Sequence, residues 1–480
     1  MLNLLLLFAD LAAASQPLPA VVIEVPATGG PPVFECKEAI AEAEAYRKVR
    51  PPPVLPTQPV RESMPKPSRP STGTPDDGIS GRPRLKLSAA GLASSELPGR
   101  VPDELPLQPL EGRPEDLARI GALLEQARSR RVRITVFGAS HTGADLFTGQ
   151  LRRVLQTRYG DLGHGFVFPA ALYQGDRGQD INLCRTEGWR SDWPGRKGGR
   201  EDGLYGFGAS LSSADPADFG WLETTVDNPQ GRAVSRYEIF SLGEPNGGTL
   251  QVKVDDAPVE EISHVRGEVK VLRHRVQVPD GPHRLVLSPK GDGEVRLFGV
   301  SAEREGPGVI VDAIGIRGRT ASSWLRWDEE ISSRAIASLA PDLIALAYGT
   351  NEANDGSLTP ELYAEELRAV LTRMRLATPD AACLLIGPTD RGKRVARDTF
   401  VVWDRTAWVA QVQRQVGPEF GCAFWDWQQA MGGPGSMIAW SMLSPALGSS
   451  DLIHLSGAGY VWSADRLLMA MEQAGGLAAP

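Results

Sequence analysis

Four segments of this chain have residue types and settings suited to acyl chemistry. Ser140 lies in ITVFGASHTGADLFTG (134–149), where a strand-like apolar run hands over to a helical pattern at a tight corner. Such a corner exposes the hydroxyl, and a helix beginning there aims backbone N–H groups at the same point. A nucleophilic serine needs that arrangement because an oxyanion forms beside it; the alternative is that Ser140 only caps the helix. The base at neutral pH would be a histidine, and the chain has six: His141, His164, His264, His274, His283 and His454. His264, His274 and His283 fall in a β-rich interval, and His141 adjoins Ser140 with its side chain expected to point away. His454 stands in DLIH, three residues after Asp451. One turn of chain lets that carboxylate reach the imidazole Nδ1–H, leaving Nε2 to take a serine proton. Taken alone, D-x-x-H reads equally well as a surface salt link. Polar loops GRT (318–320) and GTNE (349–352) follow other strand-like runs and add candidate oxyanion donors.

The elements that must hold these residues read as an α/β domain. PEDLARIGALLEQARSRR (114–131) has helical apolar spacing with Glu115 and Asp116 in its first turn, and VRITVFG follows as a strand. From about 172 to 305 the pattern changes. Alternating runs such as SRYEIFSL, TLQVKVDD and HRVQVPDGPHRLVLSP are broken by PNGG, PDG and GDG, which predicts antiparallel strands and tight turns. An inserted β-sandwich or jelly roll of roughly 130 residues is expected. After 306 the rhythm of strand, polar loop and helix resumes, including the amphipathic helix PELYAEELRAVLTRMRLA opened by Thr359 and Pro360. The fold expected is thus a three-layer α/β/α domain with a parallel sheet (116–171 and 306–480), split by an antiparallel insertion (172–305). Active sites of such sheets lie at the carboxyl ends of the strands.

The segments FGASHTGAD, GIRGRTAS, YGTNEAND and DLIHLSGAGY, in this order, resemble the four sequence blocks of the SGNH (GDSL-like) hydrolase superfamily. The long insertion between the first two blocks is similar to that of the superfamily's peptidoglycan O-acetylesterases, which carry a jelly-roll module there. The resemblance spans about 116–175 and 306–480. It implies Ser140 as nucleophile, His454 as general base and then acid, and Asp451 as the group orienting His454. It further implies an oxyanion hole from the Ser140 and Gly318 backbone N–H groups and the Asn351 side-chain amide, with Gly318 chosen over Gly315 because Arg-Thr-Ala-Ser follows it. No metal or organic cofactor is implied. One departure stands out: Ala139 occupies the position where the family block usually has aspartate.

The resemblance points to a serine esterase removing O-acetyl groups from a polysaccharide, with peptidoglycan first. The alternatives are a polysaccharide O-acetyltransferase using the same residues, a non-enzymatic glycan-binding or cell-wall protein, and a lipase or thioesterase. His141, Trp425 and Trp440 are candidate substrate contacts, with Trp189, Trp193 and Trp427 as further aromatic residues that either meet sugar faces or pack in the core. The formal net charge of −8 argues against a general nucleic-acid binder, and no apolar run reaches the roughly 18 residues that span a membrane.

Residues 1–15 read as a signal peptide, although a positive n-region is missing and Asp10 interrupts the apolar run; export to the periplasm or exterior is expected. Residues 16–115 hold 20 of the 38 prolines and read as an unstructured linker with one helical island, ECKEAIAEAEAYRKV. Cys36, Cys184, Cys383 and Cys422 form no CxxC pair, so no zinc site is expected. They are taken as free thiols, with Cys383 and Cys422 as neighbours in the core. The oligomeric state is left open.

Overall fold

The structure is a computed structural model that describes residues 16–26, 35–49, 84–86, 105–170, 172–173, 178–397 and 399–476. The expected signal peptide and most of the expected linker lie outside the described residues.

Five strands form a parallel sheet in the spatial order Gly308–Gly315, Arg131–Gly138, Leu343–Ala347, Ala382–Ile386, Cys422–Trp425. In chain order this is 2-1-3-4-5, a doubly wound arrangement whose direction reverses at the first strand. Ser140 therefore emerges at the carboxyl end of the strand where a crevice must open. The strands are largely apolar because helices cover most of both faces. On one side Ile134, Val136, Val311, Leu384 and Ile386 pack with the helices Pro114–Gln126, Leu146–Tyr159 and Gly457–Ala474. On the other, Phe137, Ile314, Leu346 and Leu385 pack with Glu329–Leu339, Pro360–Ala377 and Arg405–Val416. The helix starts follow their local chemistry. Asp328 accepts from Ile331 N at 3.0 Å, and Thr359 accepts from Leu362 N at 3.2 Å just before Pro360. Each such cap is worth about 1 kcal/mol.

The β-rich interval forms two further sheets around one apolar core. One runs Val21–Glu24, Lys270–Gly281, Val234–Gly243, Val295–Glu303, Ser210–Ser213, Arg190–Asp192, with Gly165–Val167 also pairing Val295–Glu303. The other runs Glu260–Ser263, Thr249–Val254, Arg284–Pro289, Gly220–Glu223, Asn182–Arg185. Tyr237, Ile239, Val276 and Leu297 of the first meet Leu222, Leu250, Val252 and Leu287 of the second. The first sheet takes strands from beyond the 172–305 interval, at 165–167 and 21–24.

This sheet is tied to the parallel one by buried charge. Arg133 of the first parallel strand is fully buried. It donates to Asp312 at 3.1 Å, to Ser301 at 3.3 Å, and to Glu303, which also takes Arg236 at 2.8 Å. Burial pushes Glu303 up, but the surrounding Arg133, Arg236 and Arg131 bring its pKa down to about 2.

Two expectations need correction. The segment 16–115 is not wholly unstructured: Val21–Glu24 runs parallel to Lys270–Gly281, and Cys36–Val49 is the helical island. VVIE contains no proline and sits at a sheet edge, where the flanking prolines cost no ladder hydrogen bond. Nor are the cysteines free. Cys36 is bonded to Cys184, with Cα atoms 5.6 Å apart, and Cys383 to Cys422, with Cα atoms 4.4 Å apart. Cys383 and Cys422 are core neighbours, as expected, and also stand in register on adjacent strands, which sets their sulfurs face to face. No described helix is long and apolar enough to cross a membrane.

Candidate active site

The first strand ends at Gly138, and a short helix, Ser140–Gly143, begins at once. Small residues make that corner. A Cβ on Gly138 would lie 2.1 Å from Thr142 Oγ1 and 2.8 Å from the Ala347 carbonyl, and one on Gly143 would lie 2.9 Å from the Gly315 carbonyl. Glycine at these positions lets the Ser140 turn nest between its two neighbouring strands.

The last polar loop comes back from the other end of the chain to meet it. His454 Nε2 is 2.9 Å from Ser140 Oγ, and His454 Nδ1 is 2.6 Å from Asp451 Oδ2. Asp451 Oδ1 also accepts the backbone N–H groups of Ile453 and His454, both at 2.9 Å, which fixes the carboxylate on its turn. Burial would raise the Asp451 pKa, but the hydrogen bonds from His454 and from these amides outweigh it and hold the group below its ordinary value. The loop is anchored by Ser449 N donating to the His454 carbonyl at 2.8 Å and by the Ser456 hydroxyl, which accepts from Gly459 N at the head of the final helix. The chain Asp451–His454–Ser140 is therefore continuous, with the imidazole between a carboxylate and a hydroxyl.

Two more loops reach this end of the sheet. Gly318 has φ +73°, a left-handed conformation natural to glycine, and a Cβ there would meet nothing within 4 Å. Gly315, by contrast, lies against the Ser140 helix; a Cβ on it would be 2.1 Å from Gly143 N. Asn351 donates one amide hydrogen to the Arg319 carbonyl at 2.8 Å and has a second to offer. Beneath both loops lies Glu352, 1% exposed. Its Oε1 accepts from Ala321 N at 2.7 Å and its Oε2 from Gly349 N at 2.9 Å. Burial pushes its pKa up to about 7 despite the amide donors.

His141 is not a substrate contact. It is 6% exposed, with Nδ1 2.8 Å from the Tyr460 hydroxyl and Nε2 3.4 Å from Thr389 Oγ1. Burial, and then the neighbouring His454, push its pKa down to about 3, so it is a neutral hydrogen-bonding post behind the site. Trp425 and Trp440 are not substrate contacts either. Both are fully buried in the apolar core, Trp425 beside Trp427 and Trp440 against Trp462, and a ring without accessible surface has no face to give a sugar. Trp189 is also core. Trp193 is different: it packs on Tyr173, their centroids 4.8 Å apart. The Arg317 guanidinium lies over the Tyr173 ring at 5.4 Å, and Arg319 donates to the Pro194 carbonyl at 2.7 Å. The β-rich unit thus reaches the Gly318 loop. Glu352, Thr389 and Tyr460 escaped the sequence reading, since nothing local to them marks burial at the site. Among the described residues no group of histidine, cysteine, aspartate and glutamate is arranged to hold a metal ion.

Residues 290–462 match the model of the GDSL-like lipase/acylhydrolase family, a span holding Gly318, Asn351, Asp451 and His454 but not Ser140. A solved structure described as a peptidoglycan O-acetylesterase in action superposes with a TM-score of 0.62 at 24% identity, over 77% of this chain and 99% of that one. The chain has the SGNH-hydrolase fold. Family-two carbohydrate esterases from Clostridium thermocellum (13% identity, 55% of this chain and 94% of that one) and Cellvibrio japonicus (12%, 62% and 98%) also match, with TM-scores of 0.25 and 0.26. No curated protein matches. The family match and the SGNH fold support an esterase.

Proposed function

We propose that this SGNH-fold chain is a serine esterase that removes O-acetyl groups from a polysaccharide, with peptidoglycan as the leading substrate. The observation that carries the reading is the unbroken hydrogen-bond chain from Asp451 through His454 to Ser140 Oγ. In the proposed reaction Ser140 Oγ attacks the acetyl carbonyl carbon as its proton passes to His454 Nε2. Asp451, ionised and fixed on its turn, holds the Nδ1–H tautomer and stabilises the imidazolium. The oxygen that gains charge is met by the backbone N–H groups of Ser140 and Gly318 and the free amide hydrogen of Asn351. A donor of this kind is typically worth a factor of about 10²–10³ in rate. His454 returns the proton to the departing sugar oxygen. Water then repeats the sequence on the acyl-enzyme, releasing acetate and Ser140. Ala139 in place of the usual aspartate leaves all these atoms in position, since it is not a member of the chain.

Support for a glycan substrate comes from the similarity to the peptidoglycan O-acetylesterase structure and from the two-sheet unit reaching the Gly318 loop through Trp193, Tyr173 and Arg319. We read that unit, about 172–305, as a jelly-roll module set into the hydrolase domain (116–171 and 306–480). Two disulfides suit an oxidising compartment, in line with export. The test is acetate release from 4-nitrophenyl acetate and from O-acetylated peptidoglycan. The wild type should turn over both and Ser140→Ala neither. Turnover of the small ester alone would keep the esterase and reject the wall substrate; turnover of neither would reject the esterase.

A further inference from the structure

The chain is acidic overall, and its surface arginines are commonly matched with carboxylates: Arg113 with Asp116, Arg158 with Glu472, Arg368 with Glu419, Arg414 with Glu111. One hairpin gathers several cations without such matching. The hairpin formed by Gly392–Ala396 and Thr399–Val402 reads Arg-Gly-Lys-Arg-Val-Ala-Arg from residue 391, and Lys393, Arg394 and Arg397 are exposed. None of these three has an ion-pair partner among the described residues. Aromatic rings hold two of the cations instead. The Arg394 guanidinium lies over Phe400 at 5.0 Å, and Lys393 Nζ lies 5.9 Å from the Trp403 ring. A ring steadies a cation without neutralising it. The third strand of this small sheet is Arg84–Lys86. The nearby Asp390 carboxylate is buried and accepts from Gln428, Gly435 N and Met437 N, which leaves Asp398 in sequence and the exposed Asp404 as the acidic residues beside the three exposed cations.

The hairpin also springs from the site. Gly392 N donates to the Leu452 carbonyl at 2.9 Å, one residue after Asp451. Thr389, just before the hairpin, contacts both His141 Nε2 and the Ile453 carbonyl at 3.4 Å. A polymer whose ester sits at Ser140 would have its neighbouring units close to this cationic strip.

We propose that the basic strand Gly392–Ala396, with Arg397, is a docking surface for a carboxylate-bearing glycan, the polymer whose acetyl groups the site removes; this deepens the esterase reading and rests on it for the substrate's identity. Exposed cations attract a polyanion over about a Debye length, and the attraction weakens with salt. The test compares wild type with Lys393→Gln/Arg394→Gln/Arg397→Gln in co-sedimentation with de-O-acetylated peptidoglycan and with neutral chitin. Wild type should bind the peptidoglycan, less at 300 mM than at 50 mM salt, and the variant about tenfold more weakly. Chitin binding and turnover of 4-nitrophenyl acetate should be the same for both proteins. Equal binding of peptidoglycan by both proteins, no salt dependence, or an equal loss on chitin would overturn the proposal. The two readings fail separately. Hairpin-dependent binding without acetate release from acetylated polymer would leave the docking surface and reject the esterase. Acetate release indifferent to the three substitutions would do the reverse.

Discussion

Replacing Glu352 by glutamine tests whether this buried carboxyl positions the two loops proposed to form the oxyanion hole. One of its oxygens holds Ala321 N, three residues past Gly318; the other holds Gly349 N, two residues before Asn351. Glutamine keeps one acceptor but turns an amide NH₂ toward the second N–H. That leaves a buried donor unsatisfied, at a cost of about 1–3 kcal/mol, and spreads the loops apart. Losing the alignment of one oxyanion donor should lower kcat by about 10²-fold with KM unchanged, because the interaction exists only in the transition state. Stability carries a second signature. The folded-state pKa of Glu352, about 7, is raised above its ordinary value of 4.5, so the stability it contributes is complete below 4.5 and is lost as pH rises through 7. Integrated over that interval the loss is about 3 kcal/mol. Glutamine does not titrate, so Glu352→Gln should be less stable than wild type at pH 4.5 and should draw level with it or pass it by pH 7.5. Urea unfolding at the two pH values and steady-state hydrolysis of 4-nitrophenyl acetate measure both effects. A kcat within twofold of wild type in a folded protein would refute the positioning role; a stability difference independent of pH would refute the buried, proton-holding carboxyl.

Asp451→Asn keeps the shape of the turn but offers His454 an amide in place of a carboxylate, so kcat on 4-nitrophenyl acetate should fall by about 10³–10⁴-fold; a fall below tenfold would remove Asp451 from the mechanism. Cys383→Ser/Cys422→Ser opens a 39-residue closure between adjacent strands, and the urea midpoint should drop by the equivalent of about 2–4 kcal/mol. An unchanged midpoint would mean that the bond adds nothing to the packing of the sheet.

Much of this arrangement was legible in the amino-acid order because it depends on short-range geometry. Asp451 and His454 are three residues apart, so a single turn settles their contact. A strand running into Gly-Ala-Ser-His, with glycine where a Cβ would strike Thr142, leaves the chain few conformations other than the corner that carries Ser140. Thr359 followed by Pro360 opens a helix by its own local hydrogen bonding. Period-two alternation marked the β-rich interval for the same reason: adjacent residues of a strand must face opposite sides.

Tertiary structure decided what depends on register and enclosure. Cys383 faces Cys422 because the fourth and fifth parallel strands align at those residues, and no local pattern encodes that offset. Val21–Glu24 became a sheet edge because Lys270–Gly281, some 250 residues away, left one open. Trp425 and Trp440 carry the same side chain as Trp193, yet they lie sealed in the core while Trp193 packs against Tyr173 near the Gly318 loop. Exposure belongs to the packed molecule, not to the residue. Glu352 makes the same point for charge. An acidic residue after Asn351 reads as a solvated loop position until the Ala321 and Gly349 loops close over it. Its two oxygens then meet backbone N–H groups from separate loops, and desolvation in that closed space moves its proton affinity into the neutral range.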